Sequence, residues 1–181
     1  GIMITRDWAG TGKLGTTTIN ACYTYDMVVK RKIHLRPSIK FAYGQRSINF
    51  HELTFNDQIS LSGKQDGTVE LPSFEKSSYL DFSAGLLVYT YKYWGGFTID
   101  HLTEPNESLK DGVSRLPRKY TLFGGYKHSL SGKIGGLREE SLSAGVLYKS
   151  QGKFDQFDIN CYWYKYPLAV GLAYRGIPIF K

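Results

Sequence analysis

Apolar and polar side chains alternate along most of the chain. Leu35, Pro37, Ile39, Phe41 and Tyr43 share one parity, and His34, Arg36, Ser38, Lys40 and Ala42 the other. Leu80, Phe82, Ala84, Leu86 and Val88 alternate with Asp81, Ser83, Gly85 and Leu87. Phe157, Ile159, Cys161 and Trp163 alternate with Gln156, Asp158 and Asn160, and Leu168, Val170, Leu172 and Tyr174 with Ala169, Gly171, Ala173 and Arg175. Successive Cβ atoms of a strand point to opposite sides, so a period of two predicts strands with one apolar and one polar face.

The pattern predicts about nine strands, over residues 1–7, 16–29, 32–48, 79–91, 93–101, 119–130, 139–150, 154–164 and 168–176. Pro37 is a flaw in the third, because proline cannot donate to a ladder and fits only at a bulge or an edge. The connections at 30–31, 92 and 165–167 are tight, whereas those at 8–15, 49–78 and 102–118 are long. Short and long therefore tend to alternate; the links at 129–138 and 151–153 break the contrast in length but keep the parity. Such alternation suits an outer-membrane barrel with short turns on one side and long loops on the other.

Composition sharpens this reading. Of 181 residues, 14 are Tyr, 10 Phe and 20 Gly against 6 Pro, a balance that favours pleated strands and tight turns. No stretch approaches the run of about 20 apolar residues that a membrane-spanning helix needs. Barrel strands need only about 9 to 11 residues with every second one apolar, so a β-barrel stays open. A soluble lipocalin-like barrel or β-sandwich also alternates, but it buries its apolar face in a core. Tyr89, Tyr91, Tyr93 and Trp94, and Trp163, Tyr164 and Tyr166, cluster near strand ends as an interfacial girdle does. The net charge of +7 is spread along the chain and forms no nucleic-acid arm. The opening residues do not read as a signal peptide, as expected of a mature or trimmed N-terminus.

Candidate chemistry is sparse. Gly10, Gly12 and Gly15 match a dinucleotide fingerprint, but the β-like run Thr16, Thr17, Thr18, Ile19 follows where a helix is required. Lys13 precedes Leu14 where a phosphate loop needs Ser or Thr, so a glycine-rich hairpin loop is expected. Asp100 and His101 are adjacent and would point to opposite faces, and no nucleophile or oxyanion donor assembles around them. His34, His51, His101 and His128 show no ligand spacing. Cys22 and Cys161 are expected as free thiols on opposite faces. Asn106-Glu107-Ser108 is a formal glycosylation sequon without meaning in a bacterial chain. No enzyme activity, cofactor or metal is expected.

Four segments resemble the PorP/SprF family of type IX secretion membrane proteins: residues 100–106 (DHLTEPN), 116–120 (LPRKY), 147–156 (LYKSQGKFDQ) and 174–178 (YRGIP). Asp7, Ala9-Gly10, Leu14-Gly15-Thr16, Ser47-Ile48 and Leu53-Thr54-Phe55 resemble it as well, so the likeness spans nearly the whole chain. The resemblance implies an outer-membrane barrel of the Bacteroidota that serves type IX secretion and often gliding motility. It implies partners: a secreted surface protein, commonly an adhesin with a C-terminal targeting domain, other secretion components and, for some members, a periplasmic peptidoglycan-linked protein. Family members are longer, and about nine strands cannot close the even-numbered barrel usual in bacteria. Residues 1–181 are therefore expected to form a single-domain segment of a larger barrel, with strands missing at both ends.

Placed on that barrel, Phe157, Ile159, Cys161 and Trp163 are expected to face lipid, and His34, Arg36, Lys40, Asp158, Asn160 and Arg175 the lumen. Pro105 and Pro117 bracket a loop, and Arg118 and Arg175 can meet acidic residues or a partner's carboxylate. Loops 49–78 and 102–118 fall on one side by parity and carry Phe55, Ile59, Leu61, Val69, Leu71, Phe74, Leu109, Val113 and Leu116. Long loops rich in apolar residues are usually functional, so these residues and Arg118 are expected to form the docking surface over the mouth. Two other readings remain at this stage: a diffusion porin, suggested by His34, Arg36 and Lys40, and a barrel hydrolase using His101.

Overall fold

A computed structural model describes residues 1–10, 13–30, 32–49, 53–60, 63–64, 76–109, 112–131 and 140–176. Its strands are β1 (Ile2–Ala9), β2 (Leu14–Thr24), β3 (Met27–Lys30), β4 (Ile33–Ser47), β5 (Ile59–Ser60), β6 (Gly63–Lys64), β7 (Lys76–Tyr89), β8 (Tyr93–Asp100), β9 (Lys119–Ser129), β10 (Glu140–Gln151), β11 (Phe154–Lys165) and β12 (Leu168–Gly176). Ten of them form one sheet in the order β1, β2, β4, β7, β8, β9, β10, β11, β12, with β3 also beside β4, while β5 and β6 pair separately. The pairs β1 with β2, β3 with β4, β5 with β6, β7 with β8, β8 with β9, β9 with β10, β10 with β11 and β11 with β12 are antiparallel. Among the described residues β1 and β12 each have one neighbour, so the sheet is not closed into a barrel. Among the described residues no helix is long and apolar enough to cross a membrane, which says nothing of a β-barrel.

The all-β architecture agrees with the alternation, with three differences, the first being that the connection expected as long over 8–15 is short, since β1 runs to Ala9 and β2 starts at Leu14. The strand expected over 16–29 is interrupted at Tyr25 and Asp26, giving β2 and β3. The cause lies opposite: the Tyr25 N–H donates to the Pro37 carbonyl at 3.1 Å, but Pro37 has no N–H to return, and pairing resumes at Met27 with Leu35. The connection expected over 49–78 also holds structure of its own. A 3-10 helix, Asn56–Gln58, is closed by Gln58 N–H donating to Phe55 O at 3.0 Å and leads into the β5–β6 pair.

The chain divides into two compact units, each described by itself. The first comprises Gly1–Ala21, Phe41–Asp81 and Thr103–Leu116. In it β1 and β2 form a hairpin from Ile2 with Ala21 to Ala9 with Leu14, turning through Gly10 at φ +75° with Lys13 N–H on Gly10 O at 3.1 Å. The glycine-rich motif is thus a hairpin turn between strands. Residues 103–109 and 112–116 are tied together by Asn106, whose Oδ1 accepts from the N–H groups of Ser108 and Ser114 and whose Nδ2 donates to Gly112 O. A bridge between Asn106 and Arg115 and a Leu116 N–H to Pro105 O bond narrow this loop to a ribbon.

The second unit comprises Cys22–Lys40, Phe82–Leu102 and Pro117–Lys181. Here β7 to β12 run in continuous register: Gly85 opposite Thr98, Thr98 opposite Thr121, Lys149 opposite Thr121 and Gln156, and Asp158 opposite Arg175. Glycine allows one close approach in particular. A Cβ on Gly125 would lie 2.1 Å from Trp94 Cζ2 and 2.7 Å from Ala144 O, so the indole lies across the backbone of β9.

In both units the shielded face is the polar one. Asp81 and Ser83 are 3% and 7% exposed, whereas Leu80 and Phe82, their neighbours on β7, are 51% and 44% exposed. On β10 Ser141 and Gly145 are buried beside exposed Leu142 and Val146, and on β9 Thr121 is buried between exposed Tyr120 and Leu122. The only buried hydrophobic residue among those described is Ala42. Leaving one large apolar side chain in water rather than burying it forfeits roughly 1.5–3 kcal/mol, so an exposed apolar face of this extent marks an interaction surface. A soluble sandwich or lipocalin-like barrel has the opposite arrangement.

Candidate functional site

The polar face of the second unit is organised into clusters joined across strands. At the end of β7, Arg36 Nη2 donates to Asp26 at 3.1 Å and to the Tyr89 hydroxyl at 2.9 Å, and that hydroxyl donates to Asp26 at 3.0 Å. His34 stacks on Tyr89 with centroids 4.8 Å apart, and its Nδ1 lies 3.5 Å from Asp26 without a hydrogen bond. Asp26 sits in the break between β2 and β3, and the hydrogen bond from Arg36 holds its carboxyl below the usual aspartate range. The cluster thus ties the interrupted strand to β4 and β7.

Further along the face, Lys40 on β4 reaches over β7 to Asp100 on β8, with Nζ 2.8 Å from Oδ1, and Lys119 on β9 approaches Oδ2 at 3.4 Å. Small residues on β7 make this reach possible: a Cβ on Gly85 would come within 2.8 Å of Ser38 Oγ and 3.1 Å of Thr98 Cγ2. Asp100 is therefore a structural anion between two cations, and its neighbour His101 adopts φ +61°.

The third cluster borders a cavity of about 430 Å³. Its lining includes Lys119 on β9, Lys149 and Gln151 on β10, Gln156 on β11 and Arg175 on β12. Arg175 forks onto Asp158, with Nε 3.1 Å from Oδ1 and Nη2 3.2 Å from Oδ2, while Gln156 Nε2 donates to the same carboxylate at 2.8 and 3.0 Å. Gln151 Nε2 donates to the Pro117 carbonyl at 3.2 Å, fastening the segment that leads into β9 to β10. Asp155 also lines the cavity, but alternation puts it on the face of Phe157, where it accepts from the Tyr148 hydroxyl at 3.0 Å.

Residues of three of the segments that carry the family resemblance line this cavity, and one of the fourth holds a lining lysine. Residues 116–120 supply Lys119, 147–156 supply Lys149, Gln151 and Gln156, 174–178 supply Arg175, and 100–106 supply Asp100, which holds Lys119. Sequence reading singles out Asp158 and Arg175, and Asp100 only as the neighbour of His101. Lys119, Lys149, Gln151 and Gln156 escaped it, because only the register of β9, β10 and β11 aligns them. A usable signal was present: Lys149 and Gln151 share a parity, as do Gln156 and Asp158.

The remaining expected residues are dispersed. His34, Arg36 and Lys40 lie on the polar face of β4, bound as described, and Asn160 on that of β11, its Oδ1 within 2.8 Å of where a Cβ on Gly145 would stand. Of the loop residues, Phe55 and Leu109 are half-buried, Ile59 and Val113 are exposed, Leu116 is half-buried and Arg118 exposed. Leu61, Val69, Leu71 and Phe74 lie outside the described residues. Cys22 and Cys161 are free thiols.

No curated protein and no solved structure matches the chain. A family model, that of the type IX secretion system membrane protein PorP/SprF, matches residues 1–180. With residues of its four segments gathered at one end of a shielded polar face, and with an exposed apolar face suited to a membrane, the chain belongs to the PorP/SprF family of type IX secretion system membrane proteins.

Proposed function

We propose that the chain is a segment of a transmembrane outer-membrane β-barrel of the type IX machinery that, without catalysing a reaction, docks or anchors a secreted surface protein at its outer loops. The observation that carries the reading is the inversion of the faces: Leu80, Phe82, Leu86 and Val88 stand exposed while Asp81 and Ser83 are shielded. A sheet of this kind is stable where lipid covers the apolar side and the polar side lines an interior. The ion pairs of Lys40 with Asp100 and Arg175 with Asp158 satisfy charges on that interior side. A docking role is supported further by the Asn106-centred order of residues 103–109 and 112–116, since a loop held by its own hydrogen bonds presents a defined surface. In this reading loops 49–78 and 102–118 receive the cargo, and the protein belongs to the outer membrane of a gliding or secreting member of the Bacteroidota.

Co-purification from native membranes tests the proposal. The wild-type chain should retain a secreted surface protein, and deletion of residues 63–72 should abolish its capture while leaving the heat-resistant fold in place. Cargo that persists at wild-type levels moves docking away from that loop. Steady conductance in planar bilayers without any partner favours a diffusion porin instead.

A further inference from the structure

The cavity bordered by Lys119, Lys149 and Arg175 has a charge pattern that selects its ligand. Lys149 has no described side chain at hydrogen-bonding distance; its one described electrostatic partner is Asp158. Arg175 directs Nε and Nη2 at Asp158, which fixes the guanidinium plane and leaves the two Nη1 hydrogens for another acceptor. Lys119 stands 3.4 Å from Asp100, a long contact that leaves ammonium hydrogens for a further partner. The two amides are already committed, Gln156 to Asp158 and Gln151 to Pro117 O, so they brace the walls.

From these donors we propose that the cavity is a carboxylate-binding site for the peptide that the chain docks. The inference rests on the docking reading and adds the chemical group that is recognised. Lys40, Lys119, Lys149 and Arg175 against Asp100, Asp158 and the rim carboxylate Asp155 leave one positive charge, which a monoanion complements and a phosphate dianion overfills. The planar Arg175 edge beside two ammonium groups offers charge-assisted hydrogen bonds to both oxygens of a carboxylate. Asp155 stands at the rim, its carboxylate accepting from the Tyr148 hydroxyl on the opposite parity. The volume of about 430 Å³ accommodates the end of a peptide rather than a folded domain. The carboxylate can be a chain terminus or an acidic side chain.

Fluorescence anisotropy with the full chain in detergent micelles tests this, using three labelled peptides of one neutral Gly/Ser sequence. One ends in a free carboxylate, one in an amide, and one in an amide with a single internal Glu. Saturable binding of the first at millimolar concentrations or below, with no binding of the second, is the expected result; binding of the third identifies side-chain carboxylates as competent, and its failure restricts the site to chain termini. Lys149→Gln should weaken binding about tenfold or more, the usual effect of losing a hydrogen bond to a charged group, and Lys149→Arg should restore it. Lys149 braces no strand, so Lys149→Gln should keep the wild-type circular dichroism and heat-modified gel mobility. Equal binding of acid and plain amide peptides, or unchanged affinity in Lys149→Gln, overturns the proposal. Cargo that co-purifies equally with wild type and Lys149→Gln leaves docking standing and brings down only the carboxylate site. Absence of cargo from the wild-type preparation brings down both.

Discussion

Arg175 on β12 grips Asp158 on β11 from directly across the ladder, and Gln156 grips the same carboxylate from along its own strand. Among the described residues β12 pairs with β11 alone, so this fork is the side-chain fastening of an edge strand. Asp158→Asn should therefore raise amide hydrogen exchange in Leu168–Gly176 while β9 and β10 keep their protection. Uniform exchange change along all four strands would show that the pair serves the whole sheet instead.

The faces of β11 give a second expectation. Ile159 is exposed on the apolar side, and Asn160, one residue on, lies on the polar side opposite Gly145. In vesicles Ile159→Arg should cost roughly 2–4 kcal/mol of unfolding free energy, the depth-dependent penalty for a charge at mid-bilayer, and Asn160→Arg much less. Equal costs in denaturant titrations would overturn the assignment of lipid to the apolar face.

Two adjacent glycines of β9 differ in the room beside them. On Gly125 a Cβ would stand 2.1 Å from the Trp94 ring, whereas on Gly124 the nearest neighbour is Trp94 O at 3.5 Å. Gly125→Ala should destabilise by about 1–3 kcal/mol through overpacking, and Gly124→Ala by little or nothing. Thermal shifts of the heat-modifiable band compare them directly.

Acid should release the break between β2 and β3 only at low pH. Because the Arg36 hydrogen bond holds Asp26 below the ordinary aspartate value of 3.8, its contribution is fully present above that value and is lost as pH falls through the lower folded value. A pH titration should accordingly show Tyr89 fluorescence and the amides of Met27–Lys30 responding below about pH 3.8. Arg36→Gln should raise the midpoint toward that value, because Arg36 is the principal cause of the depression. An unchanged midpoint in the variant would assign the response to another group.

How far the sequence reveals this molecule depends on the range of the interaction concerned. Alternation at Leu80, Phe82 and Leu86 is local, and it marked both the strand and its exposed face. Pro37 gave warning of an irregularity, yet the break appears in the partner strand at Tyr25 and Asp26, which only pairing can locate. Lys119 and Lys149 are ordinary lysines on separate strands, 30 residues apart, and become neighbours of one cavity through the registers of β9 with β10 and β10 with β11. Short motifs were informative because several converge, not because any one of them encodes a reaction.

The span of Lys40 across β7 to Asp100 bears on how such a sheet avoids folding wrongly. A slip by one residue is punished at once, since it turns apolar side chains to the polar side. A slip by two restores every residue to its proper face, and a code with a period of two cannot detect it. The 2.8 Å contact between Lys40 and Asp100 can, because either shift of β4 or β8 by two residues separates the pair by about 7 Å and strands both charges. A single ion pair bridging three strands thus acts as a parity check for even-numbered errors, to which hydrophobic patterning is blind.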